Sequence, residues 1–282
     1  MTLREQGVPR SDWANQAGLR FSGAFNEISG FFRKTLVIAE LEARKLRHDP
    51  TELFTRAVQP ALWLLVFGQV FTRTRSIPTG DVPYIDFMAP GILAQSVLFI
   101  AIFSGIAIVW ERDLGIVHKF LASPTPRAAL VFGKALSAGV RALSQAVIIY
   151  LLALVIGVHV VWNPLALLGV LVMVILGAAL FSTFSLIIAC LVKTRERFMG
   201  IGQVLTMPLF FASNAIYPIS VMPPWLKVIA HINPLSYQVD ALRAMMIGQP
   251  AANGLLLDFA VTIGVMVALL WIGAKLYPRV AT

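Results

Sequence analysis

Residues able to do chemistry are sparse in this chain of 282 residues, and the spacings that catalysis needs are not met. The four histidines, His48, His118, His159 and His231, fall in four separate segments, and no His-Glu-x-x-His pair offers two imidazoles to one zinc ion. His159, near the outer end of an apolar run, reads as a partly wet structural histidine rather than a ligand. Gly133-Lys134 is followed by Ala135, and position 128 is alanine where a phosphate-binding loop needs glycine. No Gly-x-Ser-x-Gly elbow raises a serine nucleophile. A single cysteine, Cys190, excludes an intramolecular disulfide and an all-cysteine metal cage.

Three groups of polar side chains remain, each set among apolar residues. The first is the stretch Glu111-Arg112-Asp113-Leu114-Gly115 running on to Pro124. Leu114, Val117, Phe120 and Leu121 share one helical face, Arg112, Asp113, His118 and Lys119 stay polar, and Pro124 and Pro126 stop the helix. Such a helix either inserts its apolar anchors into a partner's groove or rests on the membrane surface. The second group is a stripe at steps of three and four: Gln203, Thr206, Phe210, Ser213 and Tyr217, with Pro208 as a kink, matched by Gln95, Phe99 and Phe103 every four residues. It is either a pathway for substrates with aromatic and polar groups or a packing seam between helices. The third lies in Tyr217–Pro250, where Asn233-Pro234 reads as cap and first position of a helix carrying Leu235, Val239, Leu242 and Met246 on one side. Asp240 and Arg243, three residues apart, can neutralise each other there. So apolar a segment between two spans is either a re-entrant hairpin or a folded external loop.

The elements that must hold these groups are membrane helices. Of the residues, 58% are hydrophobic and only 13% charged, with a mean hydropathy of +0.79, more apolar surface than one soluble core hides. A soluble enzyme, a nucleic-acid-binding domain and a disordered chain are thereby excluded. Stretches free of Asp, Glu, Lys and Arg are Ala57–Thr72, Phe87–Trp110, Ala142–Val192, Phe198–Leu226 and Phe259–Ala274. A bilayer core needs about 20 helical residues. The third stretch therefore holds two spans, divided at Val161-Trp162-Asn163-Pro164. The expected fold is all-α, an integral membrane protein of six spans near 53–72, 87–110, 138–160, 164–192, 198–220 and 255–275.

Charge gives the orientation. With the N-terminus inside, the inner pieces hold 19 of the 23 Lys and Arg and 10 of the 14 acids, so the +9 net charge lies inside and the outer loops balance. The basic excess is thus topological and no evidence for nucleic acid. No signal peptide is expected in the polar residues 1–30. Residues 31–50 form an amphipathic helix, apolar at Phe32, Leu36, Ala39, Ala43 and Leu46, ended by Asp49-Pro50. It lies either in the headgroup plane, against membrane lipid, or as a solvated helix.

Competing functions are separable on the same residues. An ion-coupled secondary carrier needs a membrane carboxylate, and no Asp, Glu, Lys or Arg lies well inside a span. A lipid-modifying enzyme needs polar groups clustered at one membrane depth, which the chain lacks. A non-transporting membrane anchor is a further alternative.

The order of the pieces resembles the type-2 permease family of ATP-binding-cassette exporters, in particular its branch of daunorubicin-resistance and nodulation-factor export permeases. The resemblance rests on Trp110-Glu-Arg-Asp-Leu-Gly with Pro124 and Gly133-Lys134-Ala135-Leu136, then on Tyr217-Pro218, Met222-Pro223-Pro224-Trp225, Asn233-Pro-Leu-Ser-Tyr237 and Ala241-Leu242-Arg243. It implies a polar tail (1–30), an elbow helix (31–50) and a permease domain (51–277), with a coupling helix at 111–126 and an external re-entrant segment at 221–250. It implies ATPase coupling through Glu111, Arg112, Gly115, His118, Phe120, Leu121 and Pro124. The pathway would run past Gln95, Phe99, Phe103, Gln203, Thr206, Phe210, Ser213 and Tyr217. The re-entrant segment would carry Asn233, Pro234, Tyr237, Asp240 and Arg243. Where the family often has Glu, this chain has His118, so pairing at that position differs. The implied partners are nucleotide-binding ATPase subunits, a second permease copy or paralogue, and membrane lipid. No cofactor is expected on this chain; ATP and magnesium would sit on the partner ATPase. The implied location is a bacterial cytoplasmic (inner) membrane, multi-pass, with both termini cytoplasmic.

Overall fold

The computed structural model describes residues 55, 58–74, 77–80, 82–115 and 127–277, with 127–129 as backbone alone. The tail at 1–30, the elbow helix at 31–50, and His118, Phe120, Leu121 and Pro124 of the coupling helix lie outside the described residues. Every regular element among the described residues is helical.

Helix α1 covers residues 58–74, winding as a π-helix over Trp63–Gly68 and as an α-helix over Gln69–Thr74. The wider turn lies where Trp63 stacks on Phe67 (centroids 4.5 Å apart) and meets Phe210 edge-on at 5.7 Å. The second expected span is two helices, α2 (Tyr84–Ser104) and α3 (Ile106–Asp113), divided at Gly105. The Ser185 hydroxyl donates across to the Ile102 carbonyl there. A Cβ on Gly105 would run into Ser185 and come within 2.8 Å of the Phe198 ring. Glycine at this point lets two other helices close on the break.

Helix α4 (Arg127–Ile156) has 30 residues and begins well before the expected 138. Scanning for charge-free residues stopped at Arg141, but nothing in 127–137 breaks a helix, and the prolines at 124 and 126 mark its true start. Helix α5 (Pro164–Leu191) begins at the expected Asn-Pro turn: Asn163 accepts from the Leu165 amide at 3.0 Å, and Pro164 takes the first position, where no amide hydrogen is needed. Helix α6 (Arg195–Phe211) is shorter than the expected 198–220. It ends because Ser213 turns back, its hydroxyl donating to the Phe210 carbonyl and accepting from the Ala215 amide. Gly91 admits this turn: a Cβ there would run into the Ala215 carbonyl oxygen.

After a short 3-10 turn (Ile219–Val221) come α7 (Pro224–Ile232), α8 (Pro234–Ile247) and α9 (Leu255–Leu276). Helix α5 is the centre of the bundle, packing on α2, α4, α8 and α9, and α8 is itself wedged between α2, α5 and α9. Among the described residues, four stretches are long and apolar enough to cross a membrane: Tyr84–Asp113, Leu130–Ile156, Pro164–Leu191 and Leu255–Leu276. The chain is thus an all-helical membrane protein. Helices α1 and α6 stand in the first and fifth places of the expected six spans and are shorter among the described residues.

Candidate functional site

Three consecutive charged residues at the end of α3 tie three other elements together. The Glu111 carboxylate meets the Lys134 ammonium of α4 at 2.5 Å, each about a quarter exposed (27% and 25%). Arg112 donates to the carbonyls of Val192 (2.9 Å) and Lys193 (2.6 Å), where α5 ends with unpaired acceptors and the negative end of its dipole. Asp113 accepts from both Nε and Nη2 of Arg195 at 2.9 Å, at the first turn of α6, and that guanidinium lies 5.1 Å from the Trp110 ring centroid. Gly115 follows at φ +70°, the left-handed residue that lets the chain leave the helix. Tyr277, closing α9, is fully buried in the same region; burial first, then the Glu111 carboxylate and Cys190, pushes its hydroxyl up to about 12. Glu111, Arg112 and Gly115 were marked in the sequence, whereas Lys134, Asp113 and Arg195 were not marked as their company. Their opposite charges on loops assigned to one side of the membrane were the available clue.

The expected pathway residues divide. Phe99 and Phe103, with ring centroids 6.1 Å apart, line a groove of about 430 Å³ between α1, α2 and α4 that also takes in Gln59, Ser96, Arg141 and Gln145. A smaller cavity of about 110 Å³ shares Ser104, Ala107 and Arg141 with it and continues to Glu111, Lys134 and Ser137. Gln95 is buried outside the groove lining. On α6 and its turn, Gln203 is exposed while Thr206, Phe210 and Ser213 are buried. The hydroxyls bond within their own segment: Thr206 to the Gly202 carbonyl at 2.5 Å, Ser213 to Phe210 at 2.7 Å, and Tyr217 to Phe211 at 2.5 Å. The stripe therefore does not gather on one surface with Phe99 and Phe103.

Around α8 the polar groups act as fasteners. Asn233 caps the helix by accepting from the Leu235 amide at 3.0 Å, while its own amide donates to the carbonyls of Leu209 (2.7 Å) and Ala212 (3.3 Å) at the end of α6. Pro234 occupies the first helical position, and the Tyr237 hydroxyl donates to the His231 carbonyl at 2.7 Å. Asp240 and Arg243 attract each other through space, as their spacing predicts, but the hydrogen bonds of each go elsewhere. Asp240 accepts from the amides of Ala252 (3.1 Å) and Asn253 (3.0 Å), closing the loop into α9. Arg243 donates to the carbonyls of Phe87 (3.3 Å) and Asn214 (2.8 Å), its guanidinium 3.7 Å from the Phe87 ring centroid. Each charge is better served by backbone groups the tertiary fold brings to it than by its helical neighbour. The His159 ring Nδ1 sits 2.8 Å from the buried Asp86 carboxylate, and the His159 side chain is otherwise exposed.

The same pieces recur in known proteins. The family described as ABC-2 type transporter matches residues 33–247. The ycf38 transport permease of Cyanophora paradoxa is 29% identical over 219 residues, covering 76% of this chain and 74% of the relative. The daunorubicin resistance ABC transporter permease protein DrrB1 of Streptomyces coeruleorubidus is 25% identical over 203 residues, 72% and 71% of the two chains. Nodulation protein J of Rhizobium leguminosarum bv. viciae is 27% identical over 174 residues, 61% and 66%. A family match over most of the chain and a bundle of membrane-length helices agree, and the protein belongs to the ABC-2 type transporter family, as a transport permease.

Proposed function

We propose that this chain is the permease of an ATP-driven exporter and works with separate nucleotide-binding subunits, two permeases to two ATPases. The observation that carries this is the position of Glu111. It closes α3, it is linked to α4 through Lys134, and its neighbours Arg112 and Asp113 hold the ends of α5 and α6. A push on the segment that follows Gly115 would thus reach four helices at once. In this reading residues 111–126 make up the coupling region: Glu111, Arg112 and Gly115 stand at its start, where α3 ends, and His118, Phe120, Leu121 and Pro124 belong to its far part against the ATPase. ATP and magnesium belong to that partner. Closure of the ATPase pair biases the permease toward one state only if the coupling helix binds the closed pair differently from the open one.

The cargo is an amphipathic molecule, a drug, lipid or glycolipid, entering from the cytoplasm or inner leaflet. The groove beside Phe99 and Phe103 supports this, because aromatic walls and hydroxyl or amide groups suit a molecule with both characters. Gln95, Thr206, Phe210, Ser213 and Tyr217 then serve by packing the helices that move, and Gln203 lies on the exposed side of α6. The wedge of α8 between α2, α5 and α9 supports a re-entrant segment above the exit, held by Asn233, Pro234, Tyr237, Asp240 and Arg243. The membrane in this reading is a bacterial cytoplasmic one, and the positive-inside balance supports both ends of the chain lying on its inner side.

The test is affinity purification of the tagged chain from native membranes, with ATP hydrolysis followed on what comes with it. A stoichiometric ATPase is expected, still bound in Glu111→Ala but no longer coupled to transport. Purification without an ATPase, even after crosslinking, overturns the exporter, and wild-type transport by Glu111→Ala overturns the coupling role.

A further inference from the structure

Two glycines of α5 show how deep α8 reaches. A Cβ on Gly169 would run into the Met245 sulfur, and one on Gly177 would run into the Gln238 amide. The Val161 amide, just before α5, donates to the Met246 carbonyl at 2.9 Å. Helix α8 therefore ends beside the start of α5, the end that charge assigns to the outside, and its first turns lie further in. At 1.5 Å per residue Gly177 stands about 20 Å along α5 from Pro164, deep in a hydrocarbon core of about 30 Å. There Gln238 is 1% exposed, and neither its Oε1 nor its Nε2 has a hydrogen-bond partner among the described residues. The Ser236 hydroxyl, on the same turns of α8, and Asn214 Oδ1, on the turn that Arg243 holds, are buried and unpaired as well. In the hydrocarbon region a bare amide is costly, and an apolar side chain of the same length would fill the place without that cost. The amide has its use in another position of α8.

We infer that Gln238 is a positioning residue of the outer gate. With α8 seated on Gly177 the gate is shut; in transport α8 moves off this glycine, and water admitted from the outside pairs the Gln238 amide. The unpaired amide keeps the shut state from becoming too stable to open, because opening satisfies a group that shutting strips. Gly177 supplies the room without which α8 could not seat at all. This rests on the exporter reading and assigns the residue that sets the balance of its exit.

The test uses the full chain with whatever subunits copurify, Cys190, its one cysteine, changed to Ala and Ser236→Cys as reporter. Reaction of that buried position with a water-soluble maleimide reads how often α8 leaves its seat. Gln238→Met keeps the length of the side chain and removes its polar atoms. A bare amide shifts such an equilibrium by about tenfold, so labelling should slow by about that factor. Transport should slow with it, while the thermal midpoint holds or rises. Gln238→Asn, which keeps the amide on a shorter stem, should recover part of both rates. Gly177→Ala should speed labelling, and Gly177→Ala combined with Gln238→Ala should undo that gain, which separates a shifted gate from a lost fold. Labelling indifferent to Gln238→Met and Gly177→Ala overturns the inference. So does a Gln238→Met chain that melts earlier and transports as wild type, since the amide then serves packing. Labelling that follows these variants in a chain without a copurifying ATPase would sink the exporter reading alone. ATP-driven transport with labelling blind to them would sink this inference alone.

Discussion

Arg243 and Lys134 carry the same charge and should behave in opposite ways when removed. The Arg243 guanidinium is buried, and its two donors satisfy the carbonyls of Phe87 and Asn214. Hydrogen bonds from a charged donor contribute about 1.5–3 kcal/mol each, and a buried acceptor left bare adds to the loss. Arg243→Leu is expected to lower stability by about 3 kcal/mol or more, read as the thermal midpoint of the purified chain in detergent. Arg243→Lys, which cannot span both carbonyls with one planar fork, should recover part of it. Lys134 forms its ion pair at the rim, a quarter exposed, where water and salt screen most of the attraction. Lys134→Ala should therefore change the midpoint by less than the equivalent of about 1 kcal/mol. If that variant unfolds as readily as Arg243→Leu, the pair with Glu111 is a structural keystone and not a transmission contact.

Two joints between helices set how the elements move. At Gly105 the regular α-helical pattern is interrupted between α2 and α3, with Ser185 and Phe198 filling the space a side chain would need. Gly105→Ala is expected to push α5 and α6 away from this point and so shift the Glu111 end; the check is loss of a crosslink between cysteines placed at Trp110 and Arg195. Asn233→Ala removes a helix cap, about 1 kcal/mol, and two bonds to the end of α6, about 1 kcal/mol each. It should therefore cost more stability than Asn163→Ala, whose side chain makes the cap bond alone. Much of this level was legible beforehand. The Trp162-Asn163-Pro164 break and the Asn233-Pro234 start use local chemistry, and both stand where the sequence put them. What escaped were contacts between distant residues. Nothing local to Asp240 or Arg243 announces residues 252 and 253, or 87 and 214, as hydrogen-bond partners; the three-residue spacing shows only their mutual attraction. The start of α4 escaped for another reason: a charge-free window measures hydropathy, and a helix that leaves the membrane keeps its hydrogen bonds after the window ends. Phe210 and Thr206 share a face as the spacing required, but periodicity does not say whether that face meets cargo or another helix.

For the molecule as a whole, the single cysteine is convenient. Cys190 is buried, so a Cys190→Ala background is expected to fold and to be free of other thiols. In that background Trp162→Cys, an exposed site beyond α4, should react with a membrane-impermeant maleimide in intact cells. Lys193→Cys, exposed between α5 and α6, should react only after the membrane is opened. The opposite pattern would invert the topology and move Glu111 to the outer face. Helix α4 joins these two faces. Its 30 residues amount to a rod of about 45 Å, against a hydrocarbon core of about 30 Å. A rod that long is a lever. Swung about its middle by about 10°, it carries each end about 4 Å in opposite directions. A small displacement where Lys134 meets Glu111 is then repeated, reversed, at the loop where His159 touches Asp86. The two ends share one stiff body, so their motions arrive together and need no chain of side chains to relay them.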